Sequence, residues 1–460
     1  MFLSIFILGL ALRLLSLNAH DFWFDEAFTY HIAKLPINQL ISAVLTDNNP
    51  PIYYIIIHYL IKINESQIIL RLPSLISNLI AAWALYWLAK RLLGPKTAII
   101  AFSLFTLSPL TLYLSAEARP HALGTAFLAL TIAAFFYLIE KVNFKSKFFF
   151  ILAFSLALLT HFYTAILTVP LTWIIFTSNT RLKPQKWLLI LSIPLSFLAL
   201  WIIFSLQAKH NFCACPNTLL SLPASLVSPA LGGVGSVTLR TFPQLPFFYL
   251  LLFTATAAAT FIFFLHGLKK SRNVSIIYLF CLILISILGL EYRIFSPKAF
   301  AIFSPLYLLI VANSLNLLKL KIKLAPVLIF LFGLISIIQI ANPFFAGDRL
   351  RPISQIVSTH PNTPIVHVSV LTFYSTNYYT GGNRKNILLT DNPLADSTLA
   401  YIGGQKESIG ANYSSLWLVD SQKWVDPKER QETINNLAQN YNFLQTYNVS
   451  SFVVTYLERK

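Results

Sequence analysis

Charge is what this 460-residue sequence has least of. Asp, Glu, Lys and Arg together make 11% of it, against roughly 25% in a soluble domain. That poverty excludes an ordinary soluble protein built on one or two large cores. Acids are scarcer still, 17 against 34 bases, so each acid outside a soluble-looking stretch calls for a reason. Cysteine is nearly absent, with three in all. Cys213 and Cys215 form a C-x-C in a polar loop, where an oxidised ring would be strained, and Cys281 lies in an apolar run. This set excludes a disulfide framework and a structural zinc site. No internal repeat is visible, and no low-complexity segment beyond the apolar runs. LGGVGS, at 231–236, has no strand before it and no helix after it, which argues against a dinucleotide loop.

What is present is hydrophobic, 56% of the chain, with 14% aromatic. Apolar runs long enough to span a bilayer, or nearly so, start at about residues 2, 71, 97, 121, 148, 164, 187, 245, 274, 299 and 324. The first has no basic leader and no small-residue cleavage site before Asn18, so it is expected to be a retained membrane helix rather than a signal peptide. The net charge of +17 does not point to nucleic acid, because the bases cluster in short loops between the runs. KRLLGPK (90–96), KVNFKSK (141–147), RLKPQK (181–186), HGLKKSRN (266–273) and LKLKIK (318–323) hold three Lys or Arg each. If all five are cytoplasmic, the positive-inside rule holds throughout.

That solution keeps PPIYYIIIHYLIKI (50–63) from crossing. It is expected to lie as a helix in the interface, with Tyr53, Tyr54, His58 and Tyr59 near the headgroups. The expected architecture is an α-helical polytopic membrane protein of about eleven transmembrane helices, N-terminus cytoplasmic. The spans that meet at THFY (160–163) are short and expected to be irregular there. After Pro343 the pattern changes to alternating short helices and strands. Residues 342–460 are therefore expected to form a small extracytoplasmic α/β domain behind a membrane domain of residues 1–341.

The segments assigned outside carry a different chemistry from the basic loops. They hold FWFDEAFTYH (22–31) within the first outer loop (19–70), DNNPP (47–51), SAEARPH (115–121), THFY and EYRIFSPK (291–298). An adjacent Asp25–Glu26 pair between aromatics at a membrane surface is a candidate general base, because an ionised carboxylate persists at the interface but costs about 3 kcal/mol within the hydrocarbon. The plainer alternative is that the two acids cap a surface helix. Glu117 and Arg119 could simply pair with each other, Asp47 could serve a turn before Pro50, His161 could be satisfied between helices, and Arg71 could snorkel.

The ordered set — DE after the first span, D-x-N-P-P, Arg-Leu-Pro opening the next span, E-A-R-P-H-A-L — resembles the GT-C glycosyltransferase superfamily, in the branch of protein O-mannosyltransferases and aminoarabinose transferases (glycosyltransferase family 39-type). The resemblance covers the chain to about residue 341. It implies an integral enzyme of the plasma or inner membrane that moves a sugar from a polyprenyl-phosphate donor to a hydroxyl acceptor on a protein, lipid or cell-envelope glycan at the outer face. It makes Asp25 the catalytic base with Glu26 beside it. Arg119, Glu117, His121, His161, Tyr163, Arg293, Lys298 and Asp47 are the candidate substrate-binding residues. Where many members have Arg-Tyr at the start of the late span, this chain has Ser296-Pro297-Lys298, leaving Lys298 or Arg293 to meet the donor phosphate.

The chemistry agrees with that reading. A hydroxyl is a poor nucleophile and needs a base, worth about 10² to 10⁴ in rate, while an activated lipid phosphate needs positive charge as it leaves. A single displacement inverts the anomeric centre and calls for no cofactor. No metal is expected either, because Asp25 and Glu26 diverge on a helix and no His or Cys cluster joins them. Asp25 with Glu117 could hold one hydrated ion. The rival is a transporter or flippase of a lipid-linked or anionic substrate, against which stand the placement of the charges in loops and the lack of an inverted repeat.

Overall fold

A computed structural model of the protein describes residues 2–45, 49–206, 218–232, 244–292, 295–318, 324–342, 345, 347–382, 384–389, 405–406, 413–421 and 427–460. Asp47, Cys213, Cys215, Arg293, most of GGVGS and residues 319–323 of the last basic loop lie outside the described residues.

Helix α1 (Phe2–Ser16) leads into three short helices, α2 (Phe24–Lys34), α3 (Ile37–Val44) and α4 (Ile52–Ile61). The bundle follows: α5 (Gln67–Leu93), α6 (Pro95–Leu107), α7 (Pro109–Ser115), α8 (His121–Glu140), α9 (Phe144–Leu158), α10 (Thr168–Thr177), α11 (Pro184–Leu206), α12 (Thr218–Leu231), α13 (Phe247–Leu268), α14 (Arg272–Tyr292), α15 (Pro297–Phe300), α16 (Ser304–Leu317) and α17 (Leu324–Ala341). Each expected apolar run is helical. Among the described residues seven segments are long and apolar enough to cross a membrane alone, and α6 with α7 forms an eighth, bent by 58°. The protein is an integral membrane protein. Its irregular stretch at THFY is a 3₁₀ helix over Phe162–Leu167, between α9 and α10.

Three features depart from the sequence reading. Residues 50–63 contain a ten-residue helix, as short as the expected non-crossing segment requires at about 1.5 Å per residue, but its tyrosines are placed differently. Its Tyr53 and Tyr54 are buried in the protein rather than turned to headgroups; only Tyr59 is well exposed. Helix α12, which none of the expected apolar runs covers, packs on α7 and α13 despite Pro223 and Pro229 within it. Third, the run from residue 97 is broken, because Pro109 has no amide to donate and drives Ser108 into an extended conformation.

The break exposes backbone that must be satisfied inside the bundle, and a buried cation does it. Arg13 of α1 is fully buried. Its Nη1 donates to Thr106 O at 2.7 Å and to Gly9 O at 3.0 Å, and its Nη2 to Asn78 Oδ1 at 2.6 Å. Asn78 Nδ2 in turn donates to Thr111 O at 3.1 Å. One guanidinium thus ties α1 and α5 to the bend.

The C-terminal domain is a six-stranded sheet, order β3-β2-β1-β4-β6-β5: β1 (Ile365–His367), β2 (Asn386–Leu388), β3 (Gln405–Lys406), β4 (Ser415–Ser421), β5 (Tyr441–Val449) and β6 (Phe452–Arg459). The first four are parallel, and β6 and β5 complete an antiparallel hairpin on β4. Alternation along the strands splits the core in two. Ile365, Trp417 and Val419 pack under α18 (Arg351–Val357), while Val366, Leu416 and Leu418 pack with Leu437 of α20 (Pro427–Asn440). Between β1 and β2 runs α19 (Val370–Tyr379), ended by Gly381 and Gly382 at φ 71° and 72°. This helix lies on α2: Val370, Phe373 and Tyr374 share a core with Phe22, Ala27, Tyr30 and Ala33.

Candidate active site

The site is built where α2, the turn after α7 and the start of α15 meet beneath the C-terminal domain. Trp23 is extended and α2 begins at Phe24, so Asp25 and Glu26 fall in its first turn, where the helix dipole favours acids. Consecutive helical residues point about 100° apart, and the two carboxylates accordingly face different partners.

Glu26 points inward. Its side chain and that of Arg71 are both 0% exposed, and they form a two-pronged pair with both N–O distances 2.7 Å. Glu26 Oε1 also accepts from Ala118 N at 2.8 Å. Arg71 completes its set by donating to Leu17 O at 2.6 Å, His20 O at 3.1 Å and Asp21 O at 3.2 Å. It also meets His20 Nδ1 at 3.0 Å. Burial and then Arg71 push the His20 imidazole down to about 3, so it stays neutral and Nδ1 can accept. Arg71 therefore does not snorkel; it fastens the loop ahead of α2.

Asp25 points the other way. Its Oδ2 accepts from Lys298 Nζ at 2.9 Å, and the same ammonium donates to Glu117 Oε1 at 2.8 Å. Burial drives the Asp25 carboxyl up, but Lys298 and Arg119 more than offset it and hold its pKa below the ordinary aspartate value. The Asp25 side chain is 24% exposed against 1% for Glu117, so it is the carboxylate that an incoming molecule can reach. Glu117 Oε1 is crowded, taking Trp23 Nε1 at 3.1 Å and Tyr113 Oη at 2.6 Å as well as Lys298. Its Oε2 is buried and has no hydrogen-bond partner among the described residues. The Lys298 ammonium also lies 4.3 Å from the centre of the Trp23 ring, a cation–π contact.

The supports follow from sequence. Ser296 caps α15 and Pro297 opens it, as helix starts favour. Tyr163 Oη accepts from Ser296 N at 3.1 Å, so Tyr163 holds the turn that presents Lys298. Arg119 does not pair with Glu117. Its Nη1 donates to Thr29 Oγ1 at 3.1 Å and reaches Asp25 O and Tyr54 Oη at 3.4 Å, staying close behind Asp25. His121 and His161 form a buried pair, Nδ1 to Nε2 3.3 Å. The structure thus brings Asp25, Glu117, Lys298, Arg119 and Tyr163 together and turns Glu26 away. Asp47 and Arg293 lie outside the described residues. Trp23 and Tyr113 join the cluster without having stood out in the sequence. Trp23, two residues before Asp25 in a charge-poor chain, was the available signal.

The C-terminal domain secures the approach to α2. Phe22 N donates to Tyr379 Oη at 2.5 Å, and His31 Nε2 meets Tyr374 O at 3.0 Å. Asp21 Oδ2 accepts from Leu350 N at 2.9 Å and Arg351 N at 2.8 Å. Among the described residues no group of three or more His, Cys, Asp or Glu converges as metal ligands would.

With this geometry in place, comparison gives the fold a family context. The family described as dolichyl-phosphate-mannose-protein mannosyltransferase matches residues 48–204. No curated protein matches the sequence significantly. Among solved structures the chain is similar to ArnT from Cupriavidus metallidurans in the apo state, with TM-score 0.64, 12% identity and coverage of 99% of this chain and 97% of that one. The same protein bound to undecaprenyl phosphate aligns with TM-score 0.62 at 12% identity over the same shares. The archaeal oligosaccharyltransferase AglB from Archaeoglobus fulgidus, in complex with an inhibitory peptide and a dolichol-phosphate, aligns with TM-score 0.51 and 10% identity, covering 99% of this chain and 74% of that one. At 10–12% identity the likeness is one of fold: the chain shares the fold of ArnT and of AglB.

Proposed function

We propose that the protein is an inverting glycosyltransferase that moves a hexosyl or pentosyl group from a polyprenyl-phosphate donor to a hydroxyl acceptor. The reading places the site and the C-terminal domain on the outer face of the plasma or inner membrane. The observation that carries it is Asp25, a partly exposed carboxylate held ionised by Lys298 and Arg119 within a GT-C fold whose solved relatives include one bound to undecaprenyl phosphate.

In this mechanism the acceptor hydroxyl, within reach of Asp25, gives its proton to the carboxylate as its oxygen attacks the anomeric carbon. The bond from that carbon to the phosphate oxygen breaks, and its electron pair leaves with the lipid phosphate. Inversion follows from the single displacement, and no redox or group-carrying cofactor is called on. Lys298 and Arg119 supply positive charge beside the developing anion, worth roughly 3 kcal/mol for each well-placed donor. Glu26, paired and dry, holds α2 in register and takes no proton. His121 and His161, buried against each other, take no proton in this reading.

Asp25→Asn keeps the shape and removes the basicity, so transfer should fall by about 10² or more with the thermal midpoint nearly unchanged. The test is mass spectrometry of glycans and glycolipids from a deletion strain carrying either form. The glycosylated product lost on deletion should return with the wild type and stay missing with Asp25→Asn; its return with Asp25→Asn would sink the reading.

A further inference from the structure

Lys298 is in an unusual position for a residue whose expected task is to meet a donor phosphate. Its ammonium is committed to two carboxylates, Asp25 at 2.9 Å and Glu117 at 2.8 Å. It is 14% exposed and backed by the Trp23 ring at 4.3 Å. Two acids converging on one point in a half-buried cleft repel each other unless a cation lies between them. Here the cation is covalently part of the chain, carried by a helix start that Tyr163 pins through Ser296. Glu117 Oε2, buried with no partner among the described residues, leaves the cluster one acceptor short of satisfied. Oxygen ligands of this kind suit a hard divalent ion, yet the place between them is filled by nitrogen.

We infer that Lys298 is a resident cation: it occupies the place between Asp25 and Glu117 that a divalent ion would take, and it transfers its charge from Asp25 to the departing phosphate. The inference rests on the glycosyl-transfer reading for its second half and on the carboxylate geometry alone for its first. In the resting site the ammonium neutralises Asp25. When Asp25 takes the acceptor proton, it loses its negative charge and its claim on Lys298. The ammonium keeps all its own protons and is then free to stabilise the phosphate oxygen that has just received the electron pair of the broken bond. Base and leaving group are coupled through one side chain, and Glu117 keeps that side chain from leaving the site between turnovers.

Removing the ammonium should turn the pair of acids into a metal site. Mn²⁺ binding to the full-length protein in detergent, followed by electron paramagnetic resonance, tests this without reference to transfer. Wild type should take up no Mn²⁺ that depends on Asp25, so its binding should match that of Asp25→Asn. Lys298→Ala should gain one Mn²⁺, lost again when Glu117→Gln is added, and Lys298→Met provides the same vacancy with more of the side-chain volume kept. Asp25-dependent Mn²⁺ in the wild type, or no gain in either folded variant, overturns the inference. In transfer assays wild type should be indifferent to millimolar EDTA. Lys298→Ala should lose about a hundredfold and recover at least tenfold with Mn²⁺. A gain of Mn²⁺ in a protein with no transfer activity in any form would sink the function and spare the resident cation.

Discussion

Both carboxylate oxygens of Glu26 are taken. Two nitrogens of Arg71 and the amide of Ala118 saturate the carboxylate, and Arg71 spends its remaining donors on the carbonyls of Leu17, His20 and Asp21. Around Asp25, one residue earlier, a single ammonium is divided between two acids and an aromatic face. Part of the carboxylate stays open. The two residues share a chemistry and a helix turn and differ in how completely they are satisfied. A saturated buried pair fixes a backbone, whereas an under-satisfied one can take a proton, and this chain places the first beside the second so that the open carboxylate is presented by a rigid support.

That contrast can be broken from the dry side first. Arg71→Met leaves Glu26 charged and unpaired in the interior, which should cost about 3 to 5 kcal/mol and appear as a large drop in the midpoint of thermal unfolding in detergent. An unchanged midpoint would mean the pair fastens nothing. Adding Glu26→Gln to Arg71→Met removes the stranded charge, so the double variant should be more stable than Arg71→Met alone, with a coupling of at least 1 kcal/mol between neighbours of this kind. Strict additivity in the same unfolding assay argues against the pair.

The wet side is sharpened by pH. As the proposed base Asp25 has to be ionised, and Lys298 and Arg119 hold its pKa low despite burial. Transfer by the wild type should therefore persist down to about pH 4, the ordinary aspartate range, and fall only below it. With Lys298→Ala, burial prevails, the pKa rises, and the acid limb of kcat/KM measured in EDTA should move toward neutral. A limb that stays in place would show that Lys298 does not act on Asp25. The smallest effect belongs to the clamp: Asp21→Asn retains an acceptor for Leu350 N and Arg351 N but loses the charge. About 1 kcal/mol should appear as faster amide exchange at residues 350–353, with transfer little altered.

Much of this was legible in the sequence, for definite reasons. Hydrophobic length and basic loops marked the helical runs, scarcity of acids marked the Asp25–Glu26 pair, and the E-A-R-P-H-A-L segment supplied Glu117. The roles within the DE pair were not legible, because spacing says only that two neighbours diverge and not which one meets Arg71, 45 residues away. The bend at Ser108 has its cause in Pro109, yet the run from residue 97 reads as one apolar stretch, and the folding of Tyr113 and Glu117 inward depends on packing. Arg13 carries a signal of its own, because a cation inside an apolar run is expensive enough to demand a partner, but the run does not say which partner. Tyr53 and Tyr54 misled because aromatic residues are as much at home against buried polar groups as at headgroups.

The seat of α19 on α2 bears on the order in which the protein is made. Phe22 is held by Tyr379, a partner synthesised 357 residues later. At about 5 to 20 residues per second, the ribosome needs roughly 20 to 70 s to bring it out. For that interval the helix carrying Asp25 is without its cover, and the setting of Asp25 is completed only when the sheet domain that follows the bundle has folded onto it.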